Sequence, residues 1–170
     1  SSYCFVSIRG IDPHRVTAEE VDAAAITITQ AFHGDPVWRV ALGLDDGTEA
    51  DLPAFWRCYV EGARRYDTAL AGLDAQTVSP WISPGGTELS EELEREARGL
   101  VERMLTPPQV MAMFELWDRF DQHRPHDRAH AYLSLLATHP DHAGHGYGQT
   151  HLAADLKRWD DVGIPTYLES

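Results

Sequence analysis

The chain has 170 residues, 43% of them hydrophobic, enough for one domain with its own core. Fourteen Lys and Arg stand against 27 Asp and Glu, and the net charge of −13 argues against nucleic acid and against anionic membrane surfaces while suiting a cationic small substrate. No apolar run approaches the roughly 20 residues of a membrane span, and two cysteines, Cys4 and Cys58, make no disulfide framework, so a reducing cytoplasm is the expected location.

Residues 3–8, Tyr-Cys-Phe-Val-Ser-Ile, are apolar and β-branched and predict a first strand, which Asp12-Pro13 turns. Thr17 and Glu20 form a capping box. Val21, Ala24, Ala25, Ile28, Ala31 and Phe32 then recur at helical spacing until Gly34 and Pro36. Asp51 can cap a second helix with Leu52, Phe55, Trp56, Tyr59, Val60 and Ala63 on one face. Cys58 lies off that stripe, and the sequence shows no charged partner of the kind a reactive thiol needs.

Two strands are predicted at 68–73 and 76–82, around Asp74-Ala75, with Ser83-Pro84-Gly85-Gly86 ending the second. Ser90 can cap the next helix, whose face is Leu93, Ala97, Leu100, Val101 and Met104. Thr106 and Gln109 form another capping box, with Pro107 at the first helical position. Val110, Met113, Phe114, Trp117 and Phe120 are the stripe that follows, and such a stripe is first of all a core face.

Seven of the nine histidines lie between His123 and His151. His126 and His130 are four apart, and His139, His142 and His145 are three apart. Zinc needs ligands on rigid elements with tight geometry. These residues fall on a loop, a strand end and a glycine turn, so no metal is expected. His130, at the start of a strand, is instead a candidate base, because imidazole titrates near neutrality.

The apolar run 131–137 predicts that strand. Next comes His139-Pro140-Asp141-His142-Ala143-Gly144-His145-Gly146-Tyr147-Gly148, then an amphipathic run from Gln149. Leu152, Leu156 and Trp159 mark its buried face, Gly163 and Pro165 stop it, and a last strand is predicted at 166–168. Strand, glycine-rich turn and helix together present backbone N–H groups and a positive dipole end to an anion such as phosphate. Glycines alone more often mean a turn without a ligand. There is no Gly-Lys-Ser/Thr, and the spacing is G-x-G-x-G rather than G-x-G-x-x-G, so neither a Walker loop nor a dinucleotide fingerprint is present.

The wider segment resembles the acetyl-CoA-binding motif of the GNAT acetyltransferases, Q/R-x-x-G-x-G/A after a strand ending in V-x-P. It stands here as Ala143 to Gly148 after Ala137-Thr138-His139-Pro140. The chain is most similar to the puromycin-type, antibiotic-modifying branch. Ala31-Phe32 with Asp35-Pro36, His123-Arg124-Pro125, Pro140-Asp141-His142 and Ile164-Pro165-Thr166-Tyr167-Leu168-Glu169 carry that likeness. Ala143 replaces the usual Gln or Arg, and His145 replaces the usual Arg inside the loop.

The resemblance implies an α/β (α+β) fold: a mixed, mainly antiparallel central sheet flanked by helices, with a helical insertion before the fourth strand, all in one domain. It implies acetyl transfer from acetyl-CoA to a small-molecule amine, antibiotic-like or otherwise cationic. Leu136, Ala137 and Thr138 would pair with pantetheine, and Gly144, His145, Gly146, Tyr147, Gly148 and Gln149 would hold the pyrophosphate. Phe32, Asp35 and Trp81 would lie on the substrate side. Glu169, His130 or a water chain would take the amine proton. The family's usual acid, a tyrosine, lies on a helix beyond the fifth strand, so the chain is expected to be an N-terminal portion of a domain. A homodimer stays open. Ala143 and His145 motivate an alternative, a non-catalytic GNAT-like module that binds CoA or a partner, and a longer acyl-CoA donor is a third reading.

Overall fold

Thr17 opens the first helical segment as its capping box predicts. Its N–H donates to Glu20 Oε1 at 3.2 Å, a short 3-10 turn covers Ala18–Glu20, and helix α1 runs over Val21–His33. The computed structural model describes residues 11–33, 35–36, 51–123 and 129–168. The strand expected at 3–8, Cys4, His126 and Glu169 lie outside the described residues.

Helix α2, Leu52–Arg64, buries Leu52, Phe55, Trp56, Val60 and Ala63 as its stripe requires. It also buries Cys58, which lies off the periodic apolar face. The reason is a second neighbour: α3, Glu91–Met104, packs along that side, bringing Leu93 and Glu96 to a shallow groove shared with Cys58. Ser90 caps α3, its Oγ accepting from Leu93 N–H at 3.1 Å. Helix α4, Pro107–His123, is held more loosely. Met113 alone of its stripe is fully buried, and Phe120 is exposed. Arg98 of α3 places its guanidinium 4.5 Å from the centroid of the Phe114 ring, an attraction between a cation and an aromatic face. Helix α5 is Tyr147–Asp161.

The strands are β1 (His14–Arg15), β2 (Ala69–Gly72), β3 (Thr77–Ile82), β4 (Ala131–Leu133), β5 (Ala137–Thr138) and β6 (Thr166–Tyr167). They form a mixed, mainly antiparallel sheet in the order β1-β2-β3-β4-β6, with β5 also on β3. Among the described residues only β4 and β6 run parallel. Helices α3 and α4 form the insertion between β3 and β4. Both central strands are buried on both faces. Ala69, Ala71 and Val78 face α1, α2 and α3 in the larger core. Leu70, Trp81 and Ala131 face α5 through Leu152, Leu156 and Trp159 in the smaller one. Among the described residues no helix is long and apolar enough to cross a membrane.

The strand expected over 131–137 is not continuous. Trp81 pairs with Leu133, but Val78 pairs with Ala137, so four steps along one strand match three along the other. One extra residue therefore lies between β4 and β5, which is a β-bulge. Its cause stands opposite. Pro80 O accepts from Ser134 N–H at 3.0 Å, so the backbone of Pro80 faces this strand and offers no N–H to continue the ladder. The bulge also reverses which side chains face which layer. Leu133 packs on the α5 side, whereas Leu135 and Ala137 pack on the α1/α2 side. Beyond the bulge Leu136 and Thr138 turn to α5.

The loop from β3 to α3 sits against α2 at Gly62, where a Cβ would stand 1.8 Å from Glu88 O. Backbone cannot retreat as a flexible side chain can. Gly62→Ala is therefore expected to cost ~1–3 kcal/mol, read as a lower midpoint in chemical denaturation with an unchanged slope.

Candidate functional site

The turn between β5 and α5 uses its three glycines differently. Gly144 and Gly146 adopt φ of 80° and 74°, a left-handed conformation that costs a residue with a Cβ, and a Cβ on either would meet open space. Gly148 is different: a Cβ there would stand 2.8 Å from Thr138 Oγ1, so only glycine lets α5 lie this close to β5. A 3-10 turn over Pro140–His142 leads in, with His142 N–H bonded to His139 O at 2.9 Å and Ala143 N–H to Pro140 O at 3.1 Å. Gln76 pins this segment to the β2–β3 turn. Its carbonyl accepts from His139 N–H at 2.8 Å, and its side chain bonds His142 Nε2. Gly146 stands at the N-cap of α5, whose first-turn N–H groups have no intrahelical acceptor. The helix starts at Tyr147, two residues before the amphipathic run was expected to begin.

Expected loop residues thus gather at one place. His145 and Gln149 are exposed, and Tyr147 is half-buried. The Tyr147 ring lies 5.5 Å from His145 and 5.6 Å from His142, edge-on to the latter. Leu136 and Thr138 approach Gly148 from the strand. His139, His142 and His145 do not converge as ligands: among the described residues no cluster of three His, Cys, Asp or Glu could hold a metal ion.

Below the turn lies a buried polar network that no sequence motif announces. His151 and Asp155 on α5 face Thr77, Ser79 and Trp81 on β3, and all five are fully buried. Ser79 Oγ donates to Asp155 Oδ2 at 2.5 Å and lies 2.7 Å from His151 Nε2. Trp81 Nε1 donates to the same carboxylate oxygen at 2.9 Å, and His151 Nδ1 is 2.7 Å from Thr77 Oγ1. With the imidazole proton on Nε2, Ser79 accepts from His151 and Thr77 donates to Nδ1, so each of these donors has an acceptor. Burying one carboxylate costs several kcal/mol. Hydrogen bonds to a charged group return ~1.5–3 kcal/mol each, so two or three of them are needed to hold Asp155 inside. Ser, His and Asp together suggest a hydrolytic triad, but the geometry is wrong. Asp155 bonds the serine and lies 3.2 Å from the nitrogen that faces the serine, rather than by the far imidazole nitrogen, and Ser79 has no exposed surface for a substrate to reach. The network anchors α5, and through it the glycine turn.

Trp81, expected on the substrate side, stands in this network with its ring 5.8 Å from Trp159 and no exposed surface. Phe32 is half-buried, 5.1 Å from Trp56, and Asp35 follows it with its N–H on Phe32 O at 3.0 Å. His130 is half-buried immediately before β4, and Glu169 lies outside the described residues. A sequence signal for the network did exist. His151 and Asp155 share the face of Leu152, Leu156 and Trp159, and polar residues in an apolar stripe need buried partners.

No family model matches the chain, and no curated protein matches it.

Removing the carboxylate leaves the Ser79 hydroxyl and the Trp81 Nε1–H with unmet donors in a buried interior. With ~1–3 kcal/mol for each unmet buried donor, Asp155→Ala is expected to cost ~2–6 kcal/mol, visible as a thermal midpoint lowered by several degrees or more. Cys58 should be inert. Burial first, then the nearby charge of Glu96, pushes its thiol up from 9.0 to about 11. At pH 8 its thiolate fraction is therefore about 100-fold below that of an ordinary thiol. Mass mapping after treatment with a disulfide reagent should show Cys58 unmodified in the folded chain, with reactivity rising as pH climbs toward 11. Rapid labelling at pH 8 would contradict this placement.

Proposed function

We propose that this chain is an acetyl-CoA-dependent N-acetyltransferase domain acting on a small cationic amine. The observation that supports the reading best is a continuous run of backbone suited to a pantetheine phosphate ester. β4 pairs with β6 only at Ala131 and Tyr132, and the strand then bulges at 134–136. Among the described residues no strand pairs with 134–138 on the β6 side. A ligand with alternating amides can pair with such an edge as an added strand does. The same run continues into the turn of Gly144 and Gly146, where N–H groups and the dipole of a 15-residue helix favour a pyrophosphate.

In this reading Leu136, Ala137 and Thr138 hold the pantetheine arm, and an amide of the bulge polarises the thioester carbonyl. Gly144, His145, Gly146, Tyr147, Gly148 and Gln149 surround the pyrophosphate. His130 and Glu169 are the sequence candidates for the base. The net charge of −13 draws a cationic acceptor by long-range attraction. A cytoplasmic setting fits a composition without a disulfide framework and a buried free thiol at Cys58. A second reading, a CoA-binding module without transfer, draws on Ala143 and His145, which replace polar phosphate contacts of the resembled motif.

Isothermal titration of acetyl-CoA into the chain, followed by thiol release in the presence of amines, tests both readings. Micromolar binding with amine-dependent thiol release is expected. Gly146→Val places a β-branched side chain at φ 74°, and it should weaken acetyl-CoA binding by ~10-fold or more, since such strain costs ~1–3 kcal/mol. Binding without thiol release favours the module, and no binding by the folded chain removes both.

A further inference from the structure

Outside the glycine turn, one carboxylate is held with unusual firmness beside the bulge. Glu88 lies in the loop between β3 and α3, and three contacts fix the backbone around it, one of them through an Arg65 side chain itself held on Gly62 O. Thr87 N–H donates to Tyr66 Oη at 3.0 Å. Arg65 Nη2 donates to Thr87 O at 2.7 Å, and Arg65 Nε to Gly62 O at 2.9 Å. The carbonyl of Glu88 rests against Gly62, where no Cβ fits. A loop pinned this way does not need pinning for its own sake: Ser90 already caps α3, and Gly86 N–H already closes the turn on Ser83 O at 2.8 Å.

The pinning aims the side chain. Glu88 Oε2 accepts from Ser134 Oγ at 2.8 Å, and Ser134 is the last residue of the strand to bond Pro80 before the ladder breaks. Glu88 is half-buried, and its charge acts on the hydroxyl of Tyr59 in α2. Burial above all, then Glu88, holds that hydroxyl well above its ordinary range, so Tyr59 stays a neutral hydrogen-bond donor or acceptor at physiological pH. The Tyr59 ring is 5.5 Å from Trp56, and Trp56 is 5.1 Å from Phe32, so this wall runs on to the end of α1. A carboxylate, a hydroxyl and the half-buried rings of Tyr59 and Phe32 are what an ammonium on an organic body requires: charge pairing at one end and apolar contact at the other.

We infer that Glu88, positioned by Ser134 at the bulge, is the acceptor-side carboxylate, binding the ammonium of the incoming amine and taking its first proton. This rests on the acetyltransferase reading and adds a residue that neither His130 nor Glu169 supplies. The step balances. The ammonium gives one proton to the Glu88 carboxylate, and its nitrogen forms a C–N bond to the acetyl carbonyl carbon. The C–S bond then breaks, and the second proton from nitrogen goes to the departing sulfur. The third proton remains on the amide. Ser134 donates to the carboxylate and holds its Oε2 at the bulge, so it is a positioning residue.

The test compares wild type, Glu88→Gln, Glu88→Asp and Ser134→Ala, with acetyl-CoA and three probe amines: tyramine, spermidine and n-hexylamine. Acetyl-CoA affinity by titration and thermal midpoint are measured alongside thiol release. Glu88→Gln keeps the hydrogen bond from Ser134 and should leave acetyl-CoA affinity unchanged. It should lower kcat/KM for the best amine by ~100-fold, the usual worth of a general base, and raise KM as the ammonium loses its partner. Glu88→Asp should recover part of kcat, and Ser134→Ala should lose less than Glu88→Gln. Full activity of Glu88→Gln overturns the assignment. So does a wild type that binds acetyl-CoA and acetylates none of the three amines. A wild type that does not bind acetyl-CoA removes the acetyltransferase reading itself, a failure seen before any amine is added.

Discussion

A proline inside the sheet sets the terms for the rest of the structure. Pro80 lies in β3 with neighbours on both sides, and it faces β4 without a donor. A central strand that lacks one ladder donor must leave an acceptor unpaired or let its neighbour slip. Here the neighbour slips by one residue between Leu133 and Ala137. Everything beyond the slip has the opposite facing. Ala131 and Leu133 belong to the core under α5, and Ala137 belongs to the core under α1 and α2. The slip also ends regular pairing where β6 ends, so two strand ladders stop within a few residues of each other.

The glycine turn is built on that consequence. Thr138 faces α5 because the bulge has reversed the alternation, and Gly148 is the residue that lets α5 lie against it. The helix is then fixed in rotation by the Ser79, His151 and Asp155 network, where three polar side chains meet with no water between them. Apolar packing of Leu152, Leu156 and Trp159 holds the helix on the sheet, but such contacts tolerate sliding. Directional bonds to one carboxylate do not. The N-terminus of α5, and with it Gly146, is aimed by chemistry about two turns away.

On the other face the same slip presents Ser134 to the loop at Glu88. Polar groups on the two faces therefore serve different ends. The α5 side is fully buried and gathers its donors on one carboxylate oxygen, Asp155 Oδ2, which suits an anchor. The α2 side is half-buried and joins a carboxylate to hydroxyls and rings, which suits a ligand. Cys58, nearby on α2, is excluded from that chemistry by its raised thiol.

Local patterns were enough to determine the helices and most strands. The box at Thr17 and Glu20, Ser90 before α3 and the stripes of α1 and α2 all act through neighbours three or four residues away, which a linear reading can see. The two left-handed glycines at 144 and 146 were legible for the same reason, since their conformation is a property of the residue and its own backbone. Pro80 within an apolar run also carried the signal of an interrupted strand, though the run 131–137 alone gave no sign of it. Tertiary structure alone decided the pairing of Gly148 with Thr138, the burial of Trp81 and Cys58, the partners of Asp155, and the meeting of Glu88 with Ser134. Each joins residues between 10 and 76 positions apart or depends on which element packs against an open face. Periodicity states which side of a helix is apolar; only the packed chain states what that side, or the opposite one, will meet.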